Sequence, residues 1–200
     1  MPRINTLTLK DAATAQRWDA FVMACPSASF FHRAGWQVIM ATVFRHDTYF
    51  LCSETDGRID GVLPLAHVKS MLFGNSLVSL PFAVYGGVAA MNEEAASALE
   101  AEAQRIAQRL GVDHLELRHV EARHDDWPQQ DLYVTFRKAI LPEEEANMLA
   151  IPRKQRAMVR KGIKNGLRSD IDPGTDLFFA LYADAISRRC GPSSAMTVRC

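Results

Sequence analysis

Between Arg153 and Arg168 the chain carries seven of its 23 basic residues in sixteen positions, with no acid among them. On a helix, Arg153, Arg156, Arg160 and Lys164 line one stripe, Lys161 flanks it, and Val159 and Ile163 offer an apolar edge for docking. Like charges at helical spacing oppose one another by roughly a few tenths of a kcal/mol per pair, a cost that a bound anion relieves. Phosphate suits the donors. Arginine presents a planar fork to two oxygens and lysine a point charge, as a diphosphate or nucleotide-linked substrate requires. The alternative is a solvated helix face partly neutralised by Glu143, Glu144 and Glu145.

Other residue types capable of chemistry give weaker signals. His114, His119 and His124 are spaced by five, which puts the first two on opposite faces of a strand, so they read as satisfied or exposed histidines and no metal is expected. The chain has no HExxH, CxxC or GxSxG, no GxxxxGK[ST] loop, and no GxGxxG after a strand. Metal and serine hydrolases, nucleotide hydrolysis and dinucleotide binding therefore lack their usual machinery. Cys25 and Cys52 have no base fixed near them by sequence and read as buried structural thiols. Phe30, Phe31, Trp36 and Tyr85 are candidates to line a pocket, against the commoner reading of such aromatics as core. Gly86 and Gly87 permit close backbone approach to a ligand or another strand. No general base can be named from spacing alone.

The elements that must position these residues are legible in outline. Apolar steps predict helices over Asp11 to Ala24 and Arg33 to Val43, then an antiparallel hairpin of Thr48 to Cys52 and Ile59 to Val68 about a Thr55-Asp56-Gly57-Arg58 turn. Ser76 to Phe82 and Tyr85 to Ala90 read as short strands. The clearest helix is Glu93 to Leu110, with Asn92 as cap, acids in its first turn and Gly111 at its end. Strands are expected at Val112 to Arg118, Leu132 to Ala139 and Leu167 to Ile171, and helices at Glu143 to Ala150, Arg153 to Lys164 and Asp176 to Arg189. This order describes an α/β (α+β) fold with a mixed, largely antiparallel sheet flanked by helices.

Bulk properties narrow the function classes. Outside the basic segment stand 16 basic and 23 acidic residues, a net −7, and the whole chain is neutral. That balance lacks the long-range field of a dedicated nucleic-acid or membrane-surface protein, so any basic site is local, and no DNA partner is expected. Four scattered cysteines, no apolar leader at the N-terminus and no long apolar run point to a reducing, cytoplasmic setting without a transmembrane segment.

Several ordered motifs together resemble the FemAB-related proteins, specifically the branch associated with PEP-CTERM/exosortase loci. They are Ala28 to Trp36, Gly61 to Leu65, Leu72 to Asn75, Pro81 to Gly87, Leu115 to Arg118 and Ile151 to Gly162, and the resemblance spans about residues 15–189. It implies a GNAT-like acyltransferase domain over 1–150, a basic connecting helix and the start of a second GNAT-like domain over 151–189, and an unpatterned tail over 190–200. The family continues past the point where the pattern changes at Cys190, so a truncated or frameshifted chain is expected. The resemblance further implies transfer of an acyl or aminoacyl group to an amine on a phosphate- or nucleotide-linked cell-envelope or exopolysaccharide precursor. Acyl-CoA or aminoacyl-tRNA would be the co-substrate, with no tightly bound cofactor and tRNA as a partner when it is the donor. Arg153, Arg156, Arg160, Lys161 and Lys164 would hold the acceptor's phosphates, with Trp36, Tyr85, Gly86 and Gly87 lining the cleft. Bridge-forming relatives carry a lysine where this chain has Met40. The alternative is a binding module or inactive remnant whose basic helix holds RNA or an anionic surface.

Overall fold

The structure is a computed structural model that describes residues 2–8, 11–70, 74–130 and 134–190. Contacts divide the chain into two compact units, Met1–Asp131 and Leu132–Cys200.

The first unit holds strand β1 (Arg3–Leu7), helices α1 (Ala12–Ala24) and α2 (Gly35–Thr42), strands β2 (Asp47–Thr55), β3 (Arg58–Ser70), β4 (Gly74–Val78) and β5 (Ala89–Ala90), helix α3 (Glu93–Leu110) and strand β6 (His114–Glu116). The strand order is β1-β2-β3-β4-β6, with β5 on β3. All neighbours are antiparallel except β4 and β6, which run parallel. The mixed, largely antiparallel sheet flanked by helices is the fold class read from the sequence.

Both faces of this sheet are apolar, because successive side chains of a strand point to opposite sides. Phe50 and Cys52 of β2 join Val62 and Ala66 of β3 in a core with Trp18, Phe21 and Val22 of α1 and Met40 of α2. Their neighbours Leu51, Leu63 and Leu65 join Leu77 of β4 in a second core with Leu99, Ala103 and Ile106 of α3. The sheet is thus the middle of three layers.

Local signals explain where elements begin and end. The Asp11 carboxylate accepts the Thr14 N–H at 2.7 Å and caps α1. Asn92 does the same for α3 through the Ala95 N–H at 2.8 Å, and Gly111 closes that helix at φ 60°. The β2–β3 turn has both Asp56 (φ 51°) and Gly57 (φ 74°) in the left-handed region, the two-residue turn that matches strand twist. Pro64 sits mid-strand in β3, between the stretch paired with β5 and the stretch paired with β4. A residue without an N–H is tolerated there because the ladder is interrupted.

Some expectations need correction. β1 was not anticipated; its five residues gain strand character by pairing with β2 from Arg3↔Glu54 to Leu7↔Phe50. The strand expected at Ser76 to Phe82 ends at Val78, and the chain leaves the sheet through Leu80 (φ 57°) and Phe82 (φ 67°). Residues 134–139 and 167–171 form no strand. Val134 and Phe136 are largely exposed, and β-propensity is realised only when such side chains pack across a ladder. Leu132, Tyr133 and the tail from 191 lie outside the described residues.

The second unit holds helices α4 (Glu144–Leu149), α5 (Arg153–Lys164) and α6 (Asp176–Cys190). Among the described residues no helix is long and apolar enough to cross a membrane.

Candidate active site

Helix α3 packs on the sheet through Ala95, Ala96, Leu99, Ala103 and Ile106, and Glu100 lies within that stripe, only 3% exposed. A carboxylate so placed must be paired. Oε1 accepts from Arg123 Nε at 2.8 Å, and Oε2 lies 2.9 Å from His124 Nε2. Arg123 also reaches Glu93, about two α3 turns earlier, at 2.7 Å, so the segment after β6 is clamped to the helix. The His124 ring stacks on Trp127 at 4.6 Å between centroids.

A second histidine, His119, lies 3.7 Å from Glu100 Oε1 through its Nε2, and the same atom accepts the Val88 N–H at 3.1 Å. Burial pushes the His119 pKa down, against the pull of Glu100. The buried His32 accepts the Ser29 N–H at Nδ1 (3.0 Å) and donates from Nε2 to the Gly87 carbonyl (2.8 Å). Its pKa is also lowered, again chiefly by burial.

Both imidazoles therefore take up a proton less readily in the folded protein than in the unfolded chain, where the ordinary value is 6.5. A depressed folded-state pKa means that the unfolded state binds more protons below that value. Their stabilisation is complete above about pH 6.5 and is lost progressively as pH falls from there through the folded-state values. Urea unfolding at pH 7.5 and 5.5 should show a lower midpoint at the acid pH. The His32→Gln variant, less stable at pH 7.5, should show a smaller difference between the two.

Gly86 and Gly87 serve this arrangement. Both N–H groups donate to the Arg118 carbonyl, at 3.2 and 2.9 Å, which returns the chain to the sheet after its excursion at 80–85. A Cβ on Gly86 would lie 2.8 Å from the Ser79 carbonyl oxygen, and one on Gly87 would lie 2.4 Å from the His119 ring. The glycines thus allow the segment before β5 to approach the segment after β6 closely.

Beside the Glu100 network opens a cleft of about 560 Å³, bordered by His114, Glu116, His124, Trp127, Gln129 and Gln130 among others. A cleft of this size with an aromatic wall and a few convergent polar groups is the kind of place where small ligands bind. The arrangement pairs a buried carboxylate with an imidazole at the cleft wall, which is the equipment for moving a proton.

Trp36, Tyr85, Gly86 and Gly87, expected from sequence to line a cleft, lie in other parts of the first unit, whereas His114, His119 and His124 border this one. Trp36 of α2 packs on Phe30 and Phe31, both at 5.9 Å, and its Nε1 donates to the Phe30 carbonyl at 3.2 Å. Tyr85 is half-buried in the 80–85 excursion. None of Trp36, Tyr85, Gly86 and Gly87 borders the cleft. In the second unit, Arg153, Arg160, Lys161 and Lys164 of α5 are exposed. Among the described residues none of the α5 cations makes an ion pair. Arg156 differs: its Nη2 donates to the carbonyls of Leu149 at 2.7 Å and Ile151 at 2.9 Å, fastening α5 to the end of α4. From the sequence, Glu100, Arg123 and Trp127 are passed over, and His124 reads as an ordinary satisfied or exposed histidine. The available signal was Glu100 itself, a carboxylate at a position of α3 where the helical period calls for an apolar residue.

No protein-family model and no curated protein matches the chain. Among solved structures, it is similar to a GNAT family acetyltransferase from Staphylococcus aureus, at 8% identity and TM-score 0.40 over 71% of this chain and 98% of that one. It is similar to an aminoglycoside antibiotic 6'-N-acetyltransferase from Acinetobacter haemolyticus, at 14% identity and TM-score 0.43 over 69% and 99%. A transcriptional regulator from Bacillus halodurans aligns at 9% identity and TM-score 0.38 over 87% and 97%.

Proposed function

We propose that this chain is a GNAT-type acyltransferase of the FemAB-related kind, which transfers an acyl or aminoacyl group to an amine on a phosphate-linked precursor. The sheet flanked by helices on both faces and the ordered motifs that resemble that family support the reading. Acyl-CoA or aminoacyl-tRNA is the proposed donor. The transfer needs an unprotonated amine held against a carbonyl carbon, and phosphate contacts that position the acceptor.

The observation that carries the acceptor's chemistry is α5, whose exposed cations are without ion pairs among the described residues. Arg153, Arg160 and Lys164 supply three cations along one stripe, with Lys161 beside it. Arg156 orients the helix through its carbonyl contacts, so it is the wrong residue to remove in a binding test.

Replacing Arg160 or Lys164 with Ala should weaken binding of UDP-N-acetylglucosamine, a diphosphate probe, by about 1.5–3 kcal/mol for each charged hydrogen bond lost. Calorimetric titration of wild type and variants checks this, and unchanged affinity removes the phosphate site. Salt dependence separates the proposal from RNA binding. A compact diphosphate contact loses little affinity with added salt, whereas an RNA interface releases several counterions and loses it steeply.

A further inference from the structure

We propose that His124, oriented by the buried carboxylate of Glu100, is the general base of the transfer, and that the cleft beside it takes the acceptor's primary amine. The proposal rests on the acyltransferase reading above. Its geometric basis is the division of labour around Glu100. Arg123 alone would neutralise that carboxylate and, through Glu93 as well, would clamp the 119–124 segment to α3. His124 adds a different capacity. With Nε2 donating to Glu100 Oε2 at 2.9 Å, the ring is fixed as the tautomer whose Nδ1 bears a free lone pair. Nδ1 has no hydrogen-bond partner among the described residues, the side chain is about one-third exposed (34%), and the residue borders the cleft. Stacking on Trp127 fixes the plane of the ring.

A base held by a buried carboxylate at the wall of a cleft has the nucleophile–base–orienter logic of acyl-transfer sites. The charged and titratable groups around it are Glu93 and Glu100 on α3, His119 and Arg123 on its own segment, and His114 and Glu116 of β6, which border the same cleft. Because Arg123 shares the Glu100 carboxylate, that ion pair carries no net charge beside the imidazole. The cleft's remaining wall suits an amine on a polar carbon skeleton. Trp127 offers an apolar face, and Gln129, Gln130 and Glu116, the last paired with Arg118 at 2.6 Å, offer oxygen acceptors.

The step balances with the donor named by class as an acyl thioester or ester. The amine nitrogen attacks the carbonyl carbon and forms the C–N bond, and His124 Nδ1 takes the proton that the nitrogen sheds. The C–S or C–O bond breaks, and the imidazolium returns that proton to the departing sulfur or oxygen.

The test uses the full chain with acetyl-CoA as donor probe and D-glucosamine as amine probe, following release of the CoA thiol. His124→Gln keeps a donor to Glu100 but has no basic lone pair. It should melt as wild type does and lose about 10²-fold or more in kcat, with little change in the KM for acetyl-CoA. Glu100→Gln should shift the acid limb of the pH–rate profile, which a purely structural contact would leave in place. A His124→Gln variant with wild-type kcat overturns the proposal. Nitrogen NMR of the histidine rings gives a reading independent of turnover. The Nε2–H tautomer at His124, with its Nδ1 signal moved by D-glucosamine, supports the base and the amine cleft; the Nδ1–H tautomer, or an Nδ1 signal that D-glucosamine does not move, overturns them. A wild-type chain that passes the NMR test and releases no CoA with these probes counts against the acyltransferase reading and leaves the His124 assignment supported.

Discussion

Trp18→Ala should cost the first unit about 3–5 kcal/mol, the range for removing a buried aromatic. Trp18 is fully buried on α1, its ring 5.4 Å from that of Phe50 on β2, so the truncation opens a cavity where helix and sheet meet. The indole also donates from Nε1 to the His32 carbonyl at 2.6 Å, which the alanine variant leaves without that donor. Stabilities of natural domains run to about 5–15 kcal/mol, so this one substitution removes a third or more of a typical reserve. Urea unfolding should show a lower midpoint at unchanged slope. Trp18→Phe, which keeps most of the volume and loses the donor, should fall between the two, and a loss below about 1 kcal/mol for the alanine variant would contradict the packing described.

Gly87→Ala should cost about 2–4 kcal/mol, an unusual loss for adding one methyl group, by overpacking and by unmaking a partly buried hydrogen bond. The new Cβ would lie 2.4 Å from the His119 ring, so something must move. The backbone of Gly87 is held at both ends, by its N–H on the Arg118 carbonyl and by His32 on its own carbonyl. His119 is the part that gives, and in giving it releases the Val88 N–H. The check is a double-mutant cycle with His119→Ala. Gly87→Ala should cost markedly less in the background that lacks the ring, and equal costs in the two backgrounds would show that the contact is not the cause.

The fold was legible wherever the sequence carries its own punctuation. Asn92, Glu93, Glu94 and Gly111 define α3 to the residue, and Asp56-Gly57 defines the turn between β2 and β3. It was illegible where an element exists only through its neighbour. Arg3 to Leu7 becomes a strand by lying against β2, whereas Val134 to Phe136 has strand-forming residues and stays irregular. The candidate site fell in the same gap. His124 read as an ordinary histidine because its carboxylate lies 24 residues away on a helix, a distance that only the packing of α3 against the sheet closes. The glycine pair reads in the sequence as a point of close approach, and its partner is the irregular segment after β6 that bears Arg118 and His119.

The two-faced sheet raises the question of what keeps its central hairpin in phase. In a sheet with one wet face, a slip by one residue is penalised by sending the apolar set into water. Here both faces of β2 and β3 are covered, so water cannot detect the error. Counting from the turn, Thr55 pairs with Arg58 and Glu54 with Ile59, but Ser53 pairs with Gly61, leaving Asp60 as an extra residue on β3. That bulge is held by the Thr55 hydroxyl on the Asp60 carboxylate at 2.7 Å and by the Met91 N–H on the Asp60 carbonyl at 2.8 Å. It sets Leu51 opposite Leu63 and Cys52 opposite Val62. An evenly paired ladder would set Leu51 opposite Val62 and turn Leu63 and Leu65 toward Trp18, where the smaller Val62 and Ala66 now leave room. One surplus aspartate thus works as the phase marker of the hairpin, deciding which of two equally dry cores each side chain enters.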